Sequence, residues 1–350
     1  MNTKRARAAV VGCGVISKEH LHVLADHPRI DLVGVCDLSP AAAAWTADRY
    51  RTRPFTEHRT MLAVTSPDVV HVVTPPRSHR AIAEDALRAG AHVIVEKPIA
   101  ASKVELEAMF ALADECGRLL VENHNNLFND QVLAIDDLHR RGALGEVVGV
   151  DVLLALDVTT GKLAMADGNP TAHLPGGAVR DFLTHLAYLG LHFFGDAIVG
   201  DVDARWANRS GNAYVGADDL DARVEVGAGV MRLRFDARIA PECFRIWVRG
   251  TQGSVETDLY QPFLRVETRR GPKQLSPVIN HAVNGGALAA ASVRNLRNKV
   301  LQHTTYHGLW RFLERFYESV LDGTPPPVTR ADVLRTNDLV DRIVQTASAR

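Results

Sequence analysis

Three things are missing from this chain of 350 residues. No apolar run approaches the ~18–20 residues that span a bilayer, which argues against a membrane-inserted protein. Neither sign of charge is in surplus: 40 Lys+Arg against 41 Asp+Glu leave a formal net charge of −1. That balance gives no electrostatic footprint for nucleic acid or for an anionic membrane surface. Cysteine is scarce, with four residues (Cys13, Cys36, Cys116, Cys243) and no C-x-x-C or metal-site rhythm. They fit buried, inert thiols in a reducing cytosol, so the expected location is cytoplasmic. No export signal is expected either, because Ala8–Val11 reads as a first strand rather than a leader core. No internal repeat, low-complexity linker or metal-ligand cluster is visible, and no metal is expected.

The composition that remains, 46% apolar and 23% charged, is that of a globular protein long enough for two domains. Over the first ~120 residues, short apolar runs alternate with helical patterns, the signature of a parallel sheet with crossover helices. Strands are expected at 8–11, 31–36, 69–73, 92–95 and 119–121, each a near-continuous Val/Ile/Leu run suited to burial on both faces. Helices are expected at 17–25, 40–49, 77–89 and 102–116, punctuated by Pro40 near a start and by Gly90 and Gly117 at ends. A further helix at 130–141 would open the second domain.

The turn after the first strand is Gly12-Cys13-Gly14-Val15-Ile16-Ser17. Glycines at its first and third positions permit a tight turn and a close backbone approach to a pyrophosphate, which the next helix N-terminus would hold. Ser17 replaces the third glycine of the usual fingerprint. Alone, the pattern is equally a tight strand-to-helix turn. Asp37, at the end of the second strand, stands where a carboxylate can accept from both adenosine ribose hydroxyls and repel a 2′-phosphate. Leu38 and Ser39 follow it in place of an arginine, favouring NAD over NADP. A solvated acid or helix cap is the plainer alternative. Glu96-Lys97-Pro98, after the apolar run 91–95, places a cationic acid/base group at a strand end, where α/β sheets hold their ligands.

Asp68-Val-Val-His-Val-Val-Thr-Pro-Pro-Arg-Ser-His79, then Ala86–Val93, then Glu96-Lys97-Pro98 resemble the glucose–fructose oxidoreductase/inositol dehydrogenase (Gfo/Idh/MocA) family. Gly176-Gly177-Ala178-Val179-Arg180-Asp181-Phe182-Leu183-Thr184-His185 is similar to that family's D-x-x-x-H segment. Weaker matches are Gly145–Val148, Gly250–Ser254 and a closing helix around 312–321. The likeness implies an N-terminal Rossmann domain (1–122) and a C-terminal α/β domain (123–350) on a large open, mostly antiparallel sheet. That sheet's exposed face would make a homodimer or homotetramer, and the Lys97–Pro98 peptide would be cis. It further implies cofactor contacts from Gly12, Gly14, Val15, Ile16, Asp37, Thr74, Pro75, His79, Glu96 and Lys97.

Members of the family move a hydride between nicotinamide and a carbinol carbon of a sugar, cyclitol or similar polyol, and the substrate here extends to a sugar nucleotide. Lys97, His185 and Asp181 are the catalytic residues the likeness implies. Lys97 stabilises a developing alkoxide and relays its proton, and His185 is a general base with an imidazole pKa near working pH. Asp181 lies one helical turn before His185, to hold it or to bind substrate with it. Which of Lys97 and His185 takes the proton first stays open. Asn125 and Asn126 are candidates for a polyol or the nicotinamide amide, and a polar loop explains them equally. His192 reads as packing or pocket lining. Arg294, Arg297, Lys299 and His303 form either a solvated helix face or a basic face toward a phosphate. Two alternatives accompany the dehydrogenase: a hidden-redox, glycosidase-like enzyme that retains its NAD, and a non-catalytic NAD-binding sensor.

Overall fold

The computed structural model of the protein describes residues 4–158, 176–300 and 307–348. The chain divides into two compact units, 1–125 with 306–335 and 126–305 with 336–350. The first boundary thus lies at 125/126 beside the 122/123 expected, and the segment 306–335 groups with the first unit. Phe312, Phe316 and Tyr317 of that segment are fully buried, and Tyr317 is hydrogen-bonded to the central sheet.

The first unit is built on a six-stranded sheet of order β3-β2-β1-β4-β5-β6, all pairs parallel. Its strands are β1 (Ala6–Val11), β2 (Ile30–Cys36), β3 (Pro54–Phe55), β4 (Val69–Val72), β5 (His92–Val95) and β6 (Leu120–Glu122). The crossovers are α1 (Ser17–Asp26), α2 (Pro40–Tyr50), α3 (His58–Thr65), α4 (His79–Arg88) and α5 (Lys103–Glu115). Every residue of β4 is buried, as a strand covered on both faces requires, and each buried valine there contributes ~1.5–3 kcal/mol relative to exposure. The strand order reverses between β1 and β4, the switch point at whose carboxyl ends open α/β sheets take their ligands. The short β3 and α3 were not expected from sequence. The chain returns to this unit through α9 (His307–Asp322) and the first turns of α10 (Arg330–Ser348).

The second unit carries a seven-stranded sheet of order β13-β12-β11-β7-β10-β9-β8. These strands are β7 (Val147–Ala155), β8 (Val199–Ala207), β9 (Asp219–Val226), β10 (Gly229–Asp236), β11 (Cys243–Gly250), β12 (Gly253–Asp258) and β13 (Leu264–Thr268). Only the β7–β10 pair is parallel. Helices α6 (Asp130–Arg140), α7 (Gly177–His192) and α8 (Ser276–Val300) complete it. From Leu220 to Val226, strand β9 alternates between buried and exposed positions. One face, with Val150, Val152, Met231, Leu233, Val224 and Val248, shares a core with α7. The other face is charged, Arg232 pairing with Asp221 at 2.6 Å and Arg249 with Asp151. The two weak sequence matches meet: Thr251 N donates to Glu146 O at 2.9 Å and Gln252 N to Leu144 O at 2.9 Å. A Cβ on Gly250 would lie 2.0 Å from the Leu144 carbonyl oxygen.

Among the described residues, no helix is long and apolar enough to cross a membrane. The four cysteines are unpaired. Cys36 and Cys243 are buried, whereas Cys13 and Cys116 are half-exposed rather than buried as expected. Burial pushes the Cys36 thiol up to about 12 and raises Cys13 and Cys243 in the same direction.

Candidate active site

The loop between β1 and α1 owes its shape to Gly12. Its φ of +105° lies in the region that favours glycine, and a Cβ there would stand 2.7 Å from Val73 O. Gly14 differs, since a Cβ on it would meet nothing within 4 Å; the outer side of the loop is open. Ser17, in place of a third glycine, is buried and donates from Oγ to Gly14 O at 2.6 Å, closing the turn. No side chain caps the start of α1, so its first amides remain available to an anion. Val15 projects outward, 86% exposed. Asp37 follows β2 and accepts from Cys13 N at 2.8 Å and from Ser39 N at 2.9 Å. Each carboxylate oxygen keeps a lone pair for a further donor. Ser39, not Asp37, caps α2. An open glycine loop, uncapped helix amides and a strand-end carboxylate fit a dinucleotide.

At the ends of β4, β5 and β6 the chain builds a dense polar layer. Glu96 is buried and Lys97 half-buried, and the Lys97–Pro98 peptide is cis, as expected. Burial alone would raise the Glu96 carboxyl, but His20, a 2.5 Å hydrogen bond from Asn123 Nδ2 and the neighbouring Lys97 outweigh it and hold Glu96 down at about 2. Glu122, fully buried, accepts from Ile99 N at 2.9 Å and from His124 Nε2 at 2.8 Å, which anchors the turn just beyond Pro98. His79 is buried with Nε2 2.7 Å from Thr74 O and Nδ1 2.9 Å from Pro98 O. Burial lowers its pKa although both carbonyls pull the other way. His79 thus braces the β4 end against the β5 end, and nearby Pro75 is the exposed member of that group.

Behind this layer runs a buried chain that the sequence did not reveal. Tyr317 OH lies 2.8 Å from His71 Nε2, His71 Nδ1 lies 2.9 Å from His20 Nδ1, and His20 Nε2 lies 3.0 Å from Glu96 Oε1. With both rings neutral, the carboxylate sets the direction of each bond. Glu96 can only accept, so His20 donates from Nε2; a neutral His20 then accepts at Nδ1 from His71, which accepts at Nε2 from the tyrosine. All three bonds are satisfied with both rings uncharged. Burial, with His20 alongside, keeps His71 well below its ordinary pKa, and burial keeps Tyr317 well above its own.

In the second unit, α7 presents Asp181 and His185 one turn apart, both half-buried on a helix otherwise largely buried. The paired glycines before it are steric necessities. A Cβ on Gly176 would strike the Trp206 ring at 2.4 Å, and one on Gly177 would strike Val215 O at 2.0 Å. Gly177 also bridges Gly216 backbone to backbone. Tyr188, unforeseen from sequence, places its hydroxyl 2.7 Å from His185 Nδ1, while Asn126 Nδ2 approaches the same nitrogen at 3.3 Å. The Asn126 carbonyl oxygen faces Asn129 Nδ2, and Asn126 N donates to the Tyr188 oxygen. Two donors therefore converge on Nδ1, and the neutral ring carries its proton on Nε2.

The remaining sequence candidates fall as follows. Asn125 begins a short 3-10 turn, half-buried, at the last position of the first unit. His192 is exposed, lies edge-on to Phe193 with ring centroids 5.0 Å apart, and pairs with Asp136 of α6 at 2.8 Å. Arg294 and Arg297 are exposed on α8; the Lys299 side chain and His303 lie outside the described residues. Among the described residues, no cluster of three His, Cys, Asp or Glu is placed to hold a metal ion.

Residues 6–124 match the model of the oxidoreductase family with an NAD-binding Rossmann fold. The D-apiose dehydrogenase of Paraburkholderia graminis is 28% identical over 55% of this chain and 51% of its own length. The dTDP-3,4-didehydro-2,6-dideoxy-α-D-glucose 3-reductase of Streptomyces antibioticus is 30% identical over 56% of this chain and 58% of its own. The chain thus spans a little over half the length of these curated relatives. Among solved structures, the WlbA dehydrogenase of Bordetella pertussis, in complex with NADH and UDP-GlcNAcA, superposes with a TM-score of 0.80 over 100% of this chain and 97% of that one. At 21% identity that likeness speaks to the fold. The parallel strand order of the first unit agrees with the match to that model, and residues 6–124 form the NAD-binding Rossmann domain of the Gfo/Idh/MocA oxidoreductase family.

Proposed function

We infer that this protein is an NAD-dependent dehydrogenase or reductase acting on a secondary hydroxyl or ketone of a sugar, cyclitol or sugar-derived substrate, sugar nucleotides included. The observation that carries this reading is Lys97, held at the β5 end beside a Glu96 kept anionic by its buried partners. The sugar and sugar-nucleotide relatives support the substrate class. Residues 1–122 would bind the dinucleotide, and 123–350 would supply substrate contacts and the oligomer interface.

Gly12, Gly14 and the α1 amides would hold the pyrophosphate, and Asp37 the adenosine ribose, favouring NAD over NADP. Bound nicotinamide supplies a hydride acceptor or donor at C4. The chain itself must manage the proton on the substrate oxygen, and the two candidates differ in kind. His185, with Nδ1 receiving hydrogen bonds, presents a neutral Nε2–H, which can hold and polarise an oxygen. Losing that proton would leave an imidazolate, so proton transfer falls to Lys97, whose ammonium also stabilises an alkoxide. Asp181 binds a neighbouring hydroxyl. A cytoplasmic homodimer or homotetramer completes the proposal, in line with the four free thiols and the open sheet of the second unit.

The test pairs NADH and NADPH fluorescence titrations with a 340 nm screen of sugars, cyclitols and sugar nucleotides. Preferential NADH binding together with turnover abolished by Lys97→Ala supports the reading. Tight NADH binding with no turnover on any of them would return the protein to the retained-cofactor or sensor alternatives.

A further inference from the structure

Helix α8 is inside out. Its docked side carries Ser276, Asn280, Asn284 and Asn295, whose side chains satisfy the edge of the sheet. Asn284 accepts from Val266 N and donates to Val266 O, both at 3.1 Å, imitating a neighbouring strand. Asn280 donates to Thr268 O at 2.9 Å and Asn295 to Pro262 O at 2.9 Å. These bonds cover an edge strand that would otherwise invite pairing. The opposite side of the helix is apolar and bare: Leu275 is 54% exposed, Val278 64%, Val293 71% and Leu296 65%, with Ala282, Gly285, Gly286 and Ala289 exposed between them. Amphipathic surface helices turn their apolar side inward. From Leu275 to Val293 there is no Asp, Glu, Lys or Arg, a depletion found at interface cores.

The order of the bare side identifies its occupant. Its positions step by three and four residues, the seam of a helix pair. They are also symmetric about the Gly285–Gly286 peptide: Leu275 mirrors Leu296, Val278 mirrors Val293, and Ala282 mirrors Ala289. A twofold contact needs residue i to meet j while j meets i, and only a self-matching pattern offers that. The glycines, with nothing within 4 Å of a Cβ built on either, let two helices approach closely at the centre, and Arg294 and Arg297 stand at the rim. The seam is ~33 Å long and ~10 Å wide, so two copies bring together roughly 700 Å² in projection. Side-chain relief raises the accessible area toward the ~1,000 Å² that a specific interface must clear.

We propose that the bare side of α8 is a self-association surface, on which α8 of a second copy of this chain lies antiparallel across a twofold axis at Gly285–Gly286. The inference concerns assembly and stands apart from the proposed chemistry.

Sedimentation velocity on the full chain tests it with two substitutions. Ala289→Glu places a carboxylate against the seam and should halve the sedimenting mass, whether the remainder is a monomer or a pair held by the sheet. Adding Ala282→Arg in the same chain sets each arginine against the glutamate of the other copy, and should restore the wild-type mass. A monomeric wild type, an unchanged mass for Ala289→Glu, or no recovery in the double variant would each overturn the antiparallel pairing. Far-UV circular dichroism checks folding. Should Ala289→Glu lose helix, Val293→Arg with Val278→Asp repeats the test one step further from the axis.

Discussion

The two clusters of polar side chains named above are held in opposite ways. At the strand ends of the first unit, Glu96 and Glu122 are buried and bonded to amides and imidazoles, and an unbroken chain of three hydrogen bonds runs from Tyr317 to Glu96. On α7 of the second unit, His185 is half-buried and fixed by one hydroxyl and one amide. The first arrangement is buried, whereas the second sits on a half-buried ring of α7. Rigid charge and adjustable contact are thus supplied by different parts of the chain.

The largest expected effect tests what the rigid part does. Lys97→Ala should lower kcat by ~10²–10⁴ with NADH affinity nearly unchanged, by steady-state rates and fluorescence titration. Unaltered turnover would take Lys97 out of the reaction. His20→Leu removes one of the partners of buried Glu96, leaving Asn123 and Lys97, and should cost about 3 kcal/mol in denaturant unfolding. The same substitution made in both regions then sharpens the contrast. Tyr317→Phe leaves His71 Nε2 without its donor and should cost ~1–3 kcal/mol with little change in pH–rate behaviour. Tyr188→Phe should cost less stability, yet it removes a donor from His185 Nδ1, which eases protonation of the ring and should move the pH–rate profile upward. Matching pH shifts in the two variants would erase the distinction.

Acid should find the rigid part first. His71, His79 and His92 have pKa values below the ordinary 6.5, His92 at about 4, each chiefly through burial. The unfolded chain therefore binds protons below 6.5 that the folded chain refuses, and stability falls as pH drops, by at most ~1.4 kcal/mol per pH unit for each such ring. Glu96, lowered from 4.5 to about 2, adds its own loss between those values. Hydrogen exchange should show the first unit losing protection as pH falls from 6.5 toward 4. The smallest effect expected is that of Asp37→Ala, which should relax the NAD/NADP preference by about an order of magnitude, ~1.4 kcal/mol.

The sequence was readable where local pattern carries the information. Strand runs such as 69–72, the glycine turn and the Asp181–His185 spacing all follow from near neighbours. It was opaque where a residue's meaning depends on a distant partner. His71 sits in an apolar run like any tolerated polar residue until Tyr317 is placed against it. Tyr188 looks like core until its hydroxyl is seen on His185. The two-residue β3 carries too little pattern to register. Nothing local says that a sheet edge needs the asparagines of α8. Gly176 and Gly177 were visible as a motif, but their reason, the approach of Trp206 and Val215, was not.

The hydrogen bond between His71 and Tyr317 spans 246 positions of sequence, and this gives the molecule a history on the ribosome. At ~5–20 residues per second, roughly 12–50 s pass between synthesis of the histidine and arrival of its tyrosine. For that interval the nascent first unit has an open seam and an imidazole without its donor, while the whole second sheet emerges. The unit whose synthesis begins first therefore stays incomplete until the whole second sheet has been made. A chain truncated before α9 would leave His71 without Tyr317 even though every strand of its parallel sheet has been made.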